Sequence, residues 1–385
     1  MEQQQGRASR PLRIGINAHL LAGASDYRRA GIHHYILQAL RHLPAAEAGL
    51  AHVVFTRHAG DLAARAGLRV QRSRWPTERP LVRIAWEQAA WPLLARRARL
   101  DLLHGMAFVT PWAAPCPTVV TVYDLSFMHY PQAFPAAQRR YLASQTARSV
   151  RRARRVITIS ESSRQDVARF FQVAPERIDV VYPGVEDRFR PLPAAQTAAF
   201  RARAGLPERF ILHVGTLQPR KNIPTLLDAL AQIAQPDLHL VLAGARGWLY
   251  SEIFARVAAL GLEDRVHFTG YVADDDLPLW YNAAALLAFP SLYEGFGLPV
   301  AEAQACGTPV VASSASSIPE AGGTAALYFD PQDAGALAKQ LTAVLHNPDL
   351  AATMRENGLR QAVQFAWARA GQETAEVYRR ALKEQ

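Results

Sequence analysis

Apolar residues run along this chain in short continuous bursts separated by amphipathic stretches. The segment Leu12–Ala18 (LRIGINA) reads as a first buried strand. After Gly31, the residues Ile32, Tyr35, Ile36, Ala39, Leu40 and Leu43 recur at the spacing of an amphipathic helix. HVVF from His52, TVVTVY ending at Tyr123, VITIS ending at Ser160 and IDVVY ending at Tyr182 predict further strands, with helical stretches between them. Strands that alternate with helices predict a parallel sheet covered by helices.

The pattern breaks at Pro183-Gly184, with Pro191 and Pro193 close behind, and then restarts. FILHVG from Phe210, LHLVLAG from Leu238, RVHFTG from Arg265, AALLAFPS from Ala284, TPVVAS from Thr308 and ALYF from Ala326 predict a second set of strands. Between them Pro224–Ala234 predicts a helix with Leu226, Leu227 and Leu230 on one face, and a last helix starts near Ala366. These elements predict an α/β protein of two doubly wound halves, residues 1–188 and 189–365, with a ligand crevice between them.

Composition changes this picture little. Half the residues are hydrophobic and 20% are charged, as in an ordinary packed chain of 385 residues. No stretch nears the roughly 18 consecutive apolar residues of a membrane span, and the N-terminal MEQQQGRASRPLRIG lacks the apolar run of a signal peptide. Cys116 and Cys306, the two cysteines, lie far apart in sequence and suit a reducing cytoplasm better than a disulfide or zinc framework. The excess of 43 Lys+Arg over 33 Asp+Glu favours anionic partners. Its densest patch is Arg151, Arg152, Arg154 and Arg155, preceded by Arg139, Arg140 and Arg148, and it reads first as a solvated helix face and second as a contact for an anionic membrane surface. No nucleic-acid reader motif accompanies the charge.

The most informative stretch is SLYEGFGLPVAEAQACGTPVVAS, Ser291–Ser313. A strand ends near Pro290, a loop Glu294-Gly295-Phe296-Gly297 follows, Pro299 suits a helix start and Gly307 its stop. The glycines let backbone approach a ligand, and the loop through Leu298 and the helix start after it offer N–H groups to it. Glu302 is expected in the first turn of that helix, so that Glu294 and Glu302 offer acceptors for sugar and ribose hydroxyls. Arg220 and Lys221, between a strand and a helix, make a candidate anion site.

This stretch resembles the donor-site signature of the family 4 retaining glycosyltransferases, which adopt the GT-B fold of two Rossmann-like domains facing a central crevice. GTLQPRKN (Gly215–Asn222) is similar to the family's phosphate-binding loop, PEAGGTAALYFDP (Pro319–Pro331) to the segment after the donor helix, and FAWARAGQETAEVYR (Phe365–Arg379) to its closing tail. RRAGIHHY and TVYDLSFMHYPQAF in the N-terminal half are also similar. The resemblance implies an acceptor-side domain 1–188, on which a tail of about 366–385 packs back, and a nucleotide-sugar domain 189–365. It implies that Glu302 holds the ribose, that Glu294 contacts the transferred hexose beside the N–H groups of Phe296 and Gly297, and that Arg220 and Lys221 hold the diphosphate. Base recognition would use backbone near Tyr271 and Val272.

In the N-terminal half, Gly31 stands where the family brings backbone N–H groups near donor and acceptor, and Asp124 stands just past a buried strand at the crevice edge. Many relatives carry a histidine immediately before this aspartate; here the residue is Tyr123. His19 and His104 read as structural histidines. Asp274, Asp275 and Asp276 read as an N-cap and first-turn acids rather than a metal triplet. No G-x-G-x-x-G follows a first strand in either half, which weakens a dehydrogenase reading.

The expected activity is therefore hexose transfer, with mannose from GDP-mannose preferred, to a glycan or lipid-linked acceptor, with retention of configuration and no metal or other cofactor. The catalytic set would be Glu294, Asp124, Lys221 and Arg220. The alternatives are a nucleotide-sugar epimerase on the same fold and a non-catalytic, basic glycan- or surface-binding protein.

Overall fold

The computed structural model of the chain describes residues 10–21, 31–44, 49–58, 60, 62, 67–247 and 250–384. The N-terminal segment read for a signal peptide lies largely outside the described residues, as do Arg28–Ala30 of RRAGIHHY. The chain forms two units, Met1–Pro183 with Trp367–Gln385, and Gly184–Ala366.

The first unit is built on seven parallel strands: β1 (Leu12–Asn17), β2 (Leu50–Thr56), β3 (Leu68–Arg72), β4 (Leu102–Gly105), β5 (Thr118–Val122), β6 (Arg155–Thr158) and β7 (Ile178–Val180). Their order is β3-β2-β1-β4-β5-β6-β7. Both faces are covered, which is why the central strands read as unbroken apolar runs. Val120, Val122 and Val156 pack with Val150, Val167 and Phe171, while Val53, Phe55 and Leu103 pack with Trp86 and Trp91. The apolar bursts did not predict β3 and β4. β3, LRVQR, is an edge strand with polar residues at three of its five positions, and β4 has only four residues.

The closing helix Trp367–Lys383 belongs to this unit because one of its faces is apolar. Trp367, Ala370, Thr374, Val377, Tyr378 and Ala381 are all buried, at the i, i+3, i+4, i+7 spacing of a helix stripe. Trp367 sits edge-on to Tyr35 at 5.5 Å, and the Tyr378 hydroxyl is hydrogen-bonded to His104 Nδ1 at 2.8 Å.

The arginine patch is not one helix face. The helix Ala136–Arg152 carries the exposed Arg140, Arg148, Arg151 and Arg152, but Arg155 lies in β6, buried, with Asp179 at 2.7 Å and Glu384 at 3.0 Å. A charge run read by sequence crosses a helix end and enters a strand here, and a strand buried in mid-sheet must pair its cation.

The second unit has six parallel strands: β8 (Phe210–Val214), β9 (His239–Ala243), β10 (Val266–Gly270), β11 (Leu286–Phe289), β12 (Val310–Ser313) and β13 (Leu327–Phe329), in the order β10-β9-β8-β11-β12-β13. Each falls within a segment expected to be a strand. Leu226, Leu227 and Leu230 of the helix Ile223–Gln232 are fully buried against the sheet. The segment after Pro183 is fixed to this unit where the Val185 N–H donates to the Phe365 carbonyl at 2.9 Å.

Each sheet reverses its strand order once, between β1 and β4 in the first unit and between β8 and β11 in the second. At such a point neighbouring loops leave in opposite directions and open a crevice beyond the C-terminal strand ends. Both groups of chemically interesting side chains lie there.

Candidate active site

In the second unit the chain leaves β8 through Gly215, turns at Pro219–Lys221 and enters the helix at Ile223. Gly244, at the end of β9, lies against this loop. A Cβ there would come within 2.0 Å of the Gly215 carbonyl oxygen, so only glycine allows the two backbones to approach. The turn delivers Arg220 and Lys221 to the end of β11, where the Leu292 N–H donates to the Arg220 carbonyl at 2.9 Å.

Glu294 receives both cations. Lys221 Nζ lies 2.6 Å from Oε1 and Arg220 Nη1 2.7 Å from Oε2. Burial alone would raise the Glu294 carboxyl, but the two cations outweigh it and hold the group down at about 2. The loop is fixed on its other side, where the Glu294 N–H donates to Ser316 Oγ at 2.9 Å and the Ser317 hydroxyl donates to the Glu294 carbonyl at 2.8 Å. His213 lies under this cluster. Its Nδ1 pairs with the Ala288 carbonyl at 3.1 Å, and burial, with Lys221 nearby, holds the ring neutral at about 4.

Gly295 and Phe296 are buried, and the Phe296 ring meets Phe365 edge-on at 5.0 Å. Gly297, at φ 106°, caps the helix Leu298–Ala305, a backbone angle that favours glycine. Glu302 lies just past the first turn of this helix rather than in it, because the helix begins at Leu298, one residue before the Pro299 expected to open it. There its Oε2 accepts a hydrogen bond from the Tyr281 hydroxyl at 2.8 Å, and burial pushes its carboxyl up to about 7.

The structure thus joins Gly215, Arg220, Lys221 and Glu294 directly and sets Glu302 in a separate pair with Tyr281. Tyr271 and Val272 follow β10, two strands from β8, with Tyr271 half-exposed. The aspartate run does not cap with a side chain. Asp276 occupies the N-cap position of Leu277–Ala283, yet only its carbonyl is used, and Arg188 bonds the Asp274 carbonyl instead. No cluster of metal-ligating residues occurs among the described residues.

In the first unit, Gly31 (φ 62°) precedes the helix Ile32–His42, and its carbonyl accepts from the Tyr35 N–H at 3.0 Å. Asp124 follows β5 and accepts from the Ser126 N–H at 2.9 Å. Tyr123, in the place where many relatives have histidine, is buried, and its hydroxyl donates to the Met106 carbonyl. His104 is fully enclosed between Tyr378 and Thr121. Sequence reasoning passed over Tyr281, Ser316, Ser317 and Arg188. Only Tyr281 carried a usable signal, since a tyrosine on a buried helix face needs a partner for its hydroxyl.

The family described as Glycosyltransferase Family 4 matches residues 29–189, and that described as Glycosyl transferases group 1 matches residues 196–361. The O-antigen chain mannosyltransferase B of Escherichia coli is 33% identical over 294 residues, 75% of this chain and 76% of that protein. A D-inositol 3-phosphate glycosyltransferase of Streptomyces bingchenggensis is 32% identical over 306 residues, 76% of this chain but 64% of its own length. Among solved structures, sucrose-phosphate synthase from Thermosynechococcus elongatus aligns with a TM-score of 0.78 at 26% identity, over 97% of this chain and 100% of that one. Two parallel Rossmann-like units with these neighbours make the protein a glycosyltransferase of the GT-B fold. The chain belongs to the family 4, group 1 glycosyltransferases.

Proposed function

We propose that the protein transfers a hexose, mannose from GDP-mannose, to a glycan or lipid-linked acceptor, with retention of anomeric configuration and without a metal. The observation that carries the reading is the Glu294 carboxylate clamped by Lys221 and Arg220 at the switch point of the second sheet. Two cations against one carboxylate leave positive charge for a diphosphate. When phosphate oxygens engage Arg220 and Lys221, Glu294 is released toward the hexose. The same cations stabilise the negative charge that grows on the leaving diphosphate, the step at which electrostatic help counts most. Glu302 accepts from ribose hydroxyls, and Asp124 and Glu294 stabilise positive charge on the sugar ring. In a front-face mechanism the departing phosphate oxygen takes the acceptor's proton, so no strong protein base is required on that face.

The similarity to a mannosyltransferase named for the O-antigen chain supports mannose and a polysaccharide setting. The intact cluster of half-buried Arg220 with buried Lys221 and Glu294 argues against a decayed, merely binding protein. The test is thermal stabilisation by GDP, UDP and ADP and their sugars, each with magnesium and with EDTA, followed by NMR of the product's anomeric configuration. A ligand that binds only the folded state raises its stability. A shift by GDP-mannose in EDTA and an α-linked product support the reading. Stabilisation by none of the nucleotides removes it, and interconversion of the donor sugar without acceptor replaces transfer with epimerisation. The Streptomyces similarity makes D-inositol 3-phosphate an acceptor to include in the panel.

A further inference from the structure

The first unit holds a cavity of about 270 Å³ at the C-terminal ends of β1 and β4, the switch point of its sheet. Its polar lining is Asn17, His19, Arg83, Glu87, Asp124, Ser126, Gln138 and Tyr141, and apolar side chains form the rest. That volume suits one sugar ring rather than an oligosaccharide.

Glu87 reaches the cavity through an irregular helix. The helix Pro80–Ala85 widens into a π turn, Trp86–Ala90, and resumes as Trp91–Arg97. The extra residue turns side chains off the α-helical stripe, and such turns recur at functional sites. Trp86 stacks on Trp91 at 6.0 Å and meets His19 edge-on at 4.0 Å, which anchors the turn in the core. Glu87 beside it is 6% exposed. Its Oε1 accepts from Asn17 Nδ2 at 3.1 Å, and Arg83 Nε stands 3.9 Å away. Asn17 is fixed in turn, because its Oδ1 accepts from the His19 N–H at 3.2 Å. His19 Nδ1 pairs with the Thr77 hydroxyl at 2.9 Å, while Nε2 has no hydrogen-bond partner among the described residues.

A carboxylate buried with one amide donor and a guanidinium at 3.9 Å is costly. The cost shows in Glu87, which burial pushes up to about 7, and burial likewise holds His19 neutral at about 3. A ligand hydroxyl that donates to the remaining carboxylate oxygen offsets it. Against one guanidinium, the described lining sets two carboxyl groups and a neutral imidazole. A phosphate or carboxylate would meet no net positive charge there.

We propose that this cavity is an acceptor subsite for one uncharged, hydroxyl-bearing sugar ring, with Glu87 receiving a hydrogen bond from a ring hydroxyl and Asn17, His19 and Tyr141 supplying the other polar contacts. The proposal rests on the glycosyltransferase reading above. Asp124 lies on the same lining, so the bound ring sits beside the residue assigned to the reacting sugar.

The test is NMR titration of the full-length protein with the methyl α-glycosides of mannose, glucose and galactose, and with mannose 6-phosphate, in the absence of donor. At least one methyl glycoside should bind, and mannose 6-phosphate should bind more weakly. Glu87→Gln should weaken glycoside binding about 10- to 100-fold, the worth of a hydrogen bond to a charged group. The thermal shift by GDP should be unchanged in that variant. Tyr141→Phe, which removes a single hydroxyl, serves as a second variant and should cost about tenfold. The proposal is overturned if no methyl glycoside binds, if the phosphate binds at least as tightly, or if both variants bind as the parent does. Absence of any nucleotide shift in the parent would instead remove the donor reading and leave the glycoside titration interpretable.

Discussion

Replacing Glu302 with glutamine should make the free protein more stable and the nucleotide-bound protein weaker. Glu302 is buried, with the Tyr281 hydroxyl at 2.8 Å on one oxygen, and burial raises its carboxyl from 4.5 to about 7. The sign follows from that direction. Below the unfolded value, near 4.5, the group is protonated in both states and costs nothing. As pH rises toward 7 the unfolded chain ionises first, so stability falls, and above 7 the full penalty is present. A shift from 4.5 to about 7 sets an upper bound of about 3 kcal/mol. The glutamine keeps an acceptor for Tyr281 but brings an amide that needs its own partner, which returns about 1 kcal/mol. A net gain of about 1–2 kcal/mol at pH 8 should raise the midpoint of a unit this size by roughly 2–8 °C. The gain should disappear at pH 4.5. In the same variant the affinity for GDP should fall about 10- to 100-fold, because ribose hydroxyls lose a charged acceptor. Differential scanning calorimetry at pH 4.5 and pH 8 with a GDP titration reads all three. A gain equal at both pH values, or no gain at pH 8, would refute the assignment of the penalty to a buried carboxylate. Unchanged GDP affinity would refute its role at the ribose.

Lys221→Met leaves Glu294 with Arg220 alone and should cost about 2 kcal/mol at pH 8, read by urea denaturation. Glu294 is held low, so its stabilisation is present above the unfolded value of 4.5 and is lost as pH falls toward 2. In the variant that stabilisation should be smaller and its acid loss complete at higher pH, and sugar transfer should fall at least 100-fold. Arg155→Ala leaves the buried Asp179 with Arg380 at 2.9 Å as its ion-pair partner among the described residues, and should cost about 3 kcal/mol in the same assay. If the exposed Arg140, Arg148 and Arg152 meet an anionic membrane, co-sedimentation with phosphatidylglycerol vesicles should fall sharply between 0.05 and 0.5 M salt, as expected when the Debye length drops below about 5 Å. It should also fall in the triple Glu variant.

Much of the fold was legible because its strands are buried on both faces. FILHV and VVAS admit one reading, whereas the edge strand LRVQR offers one apolar residue in its middle and reads as loop. The loop at Glu294 and the helix after it were legible from Gly297 and Pro299 because loop glycines and helix-start prolines are local signals. What shifted was the helix start, one residue before Pro299, which carries Glu302 just past the first turn, since sequence fixes a helix start only to within a few residues. The partners of these groups were not legible at all. Tyr281 and Ser317 reach Glu302 and Glu294 across strand crossings, and Glu87 depends on a π turn that has no sequence signature. The arginine patch failed differently. Seven basic residues within a short span looked like one face, but Arg155 had already entered β6 and needed Asp179.

The two sheets share a topology and differ in the charge each places at its reversal. Beyond β8 and β11 stand two cations on one carboxylate, and beyond β1 and β4 two carboxyl groups with one guanidinium. Strand order makes a crevice in both cases, but it does not choose the ligand; that choice lies in a few side chains brought there, by the turn after β8 in one unit and by the π turn at Glu87 in the other. The transfer proposed above needs both arrangements, because its leaving group is a diphosphate and its acceptor is a neutral hydroxyl. Moving one charge should therefore have unequal effects. A cation added at Asn17, as Asn17→Lys, would neutralise Glu87 and should turn the cavity's preference from methyl glycoside toward mannose 6-phosphate, without altering the GDP shift. Retention of the glycoside preference in that variant would show that shape, not charge, sets what the first unit accepts.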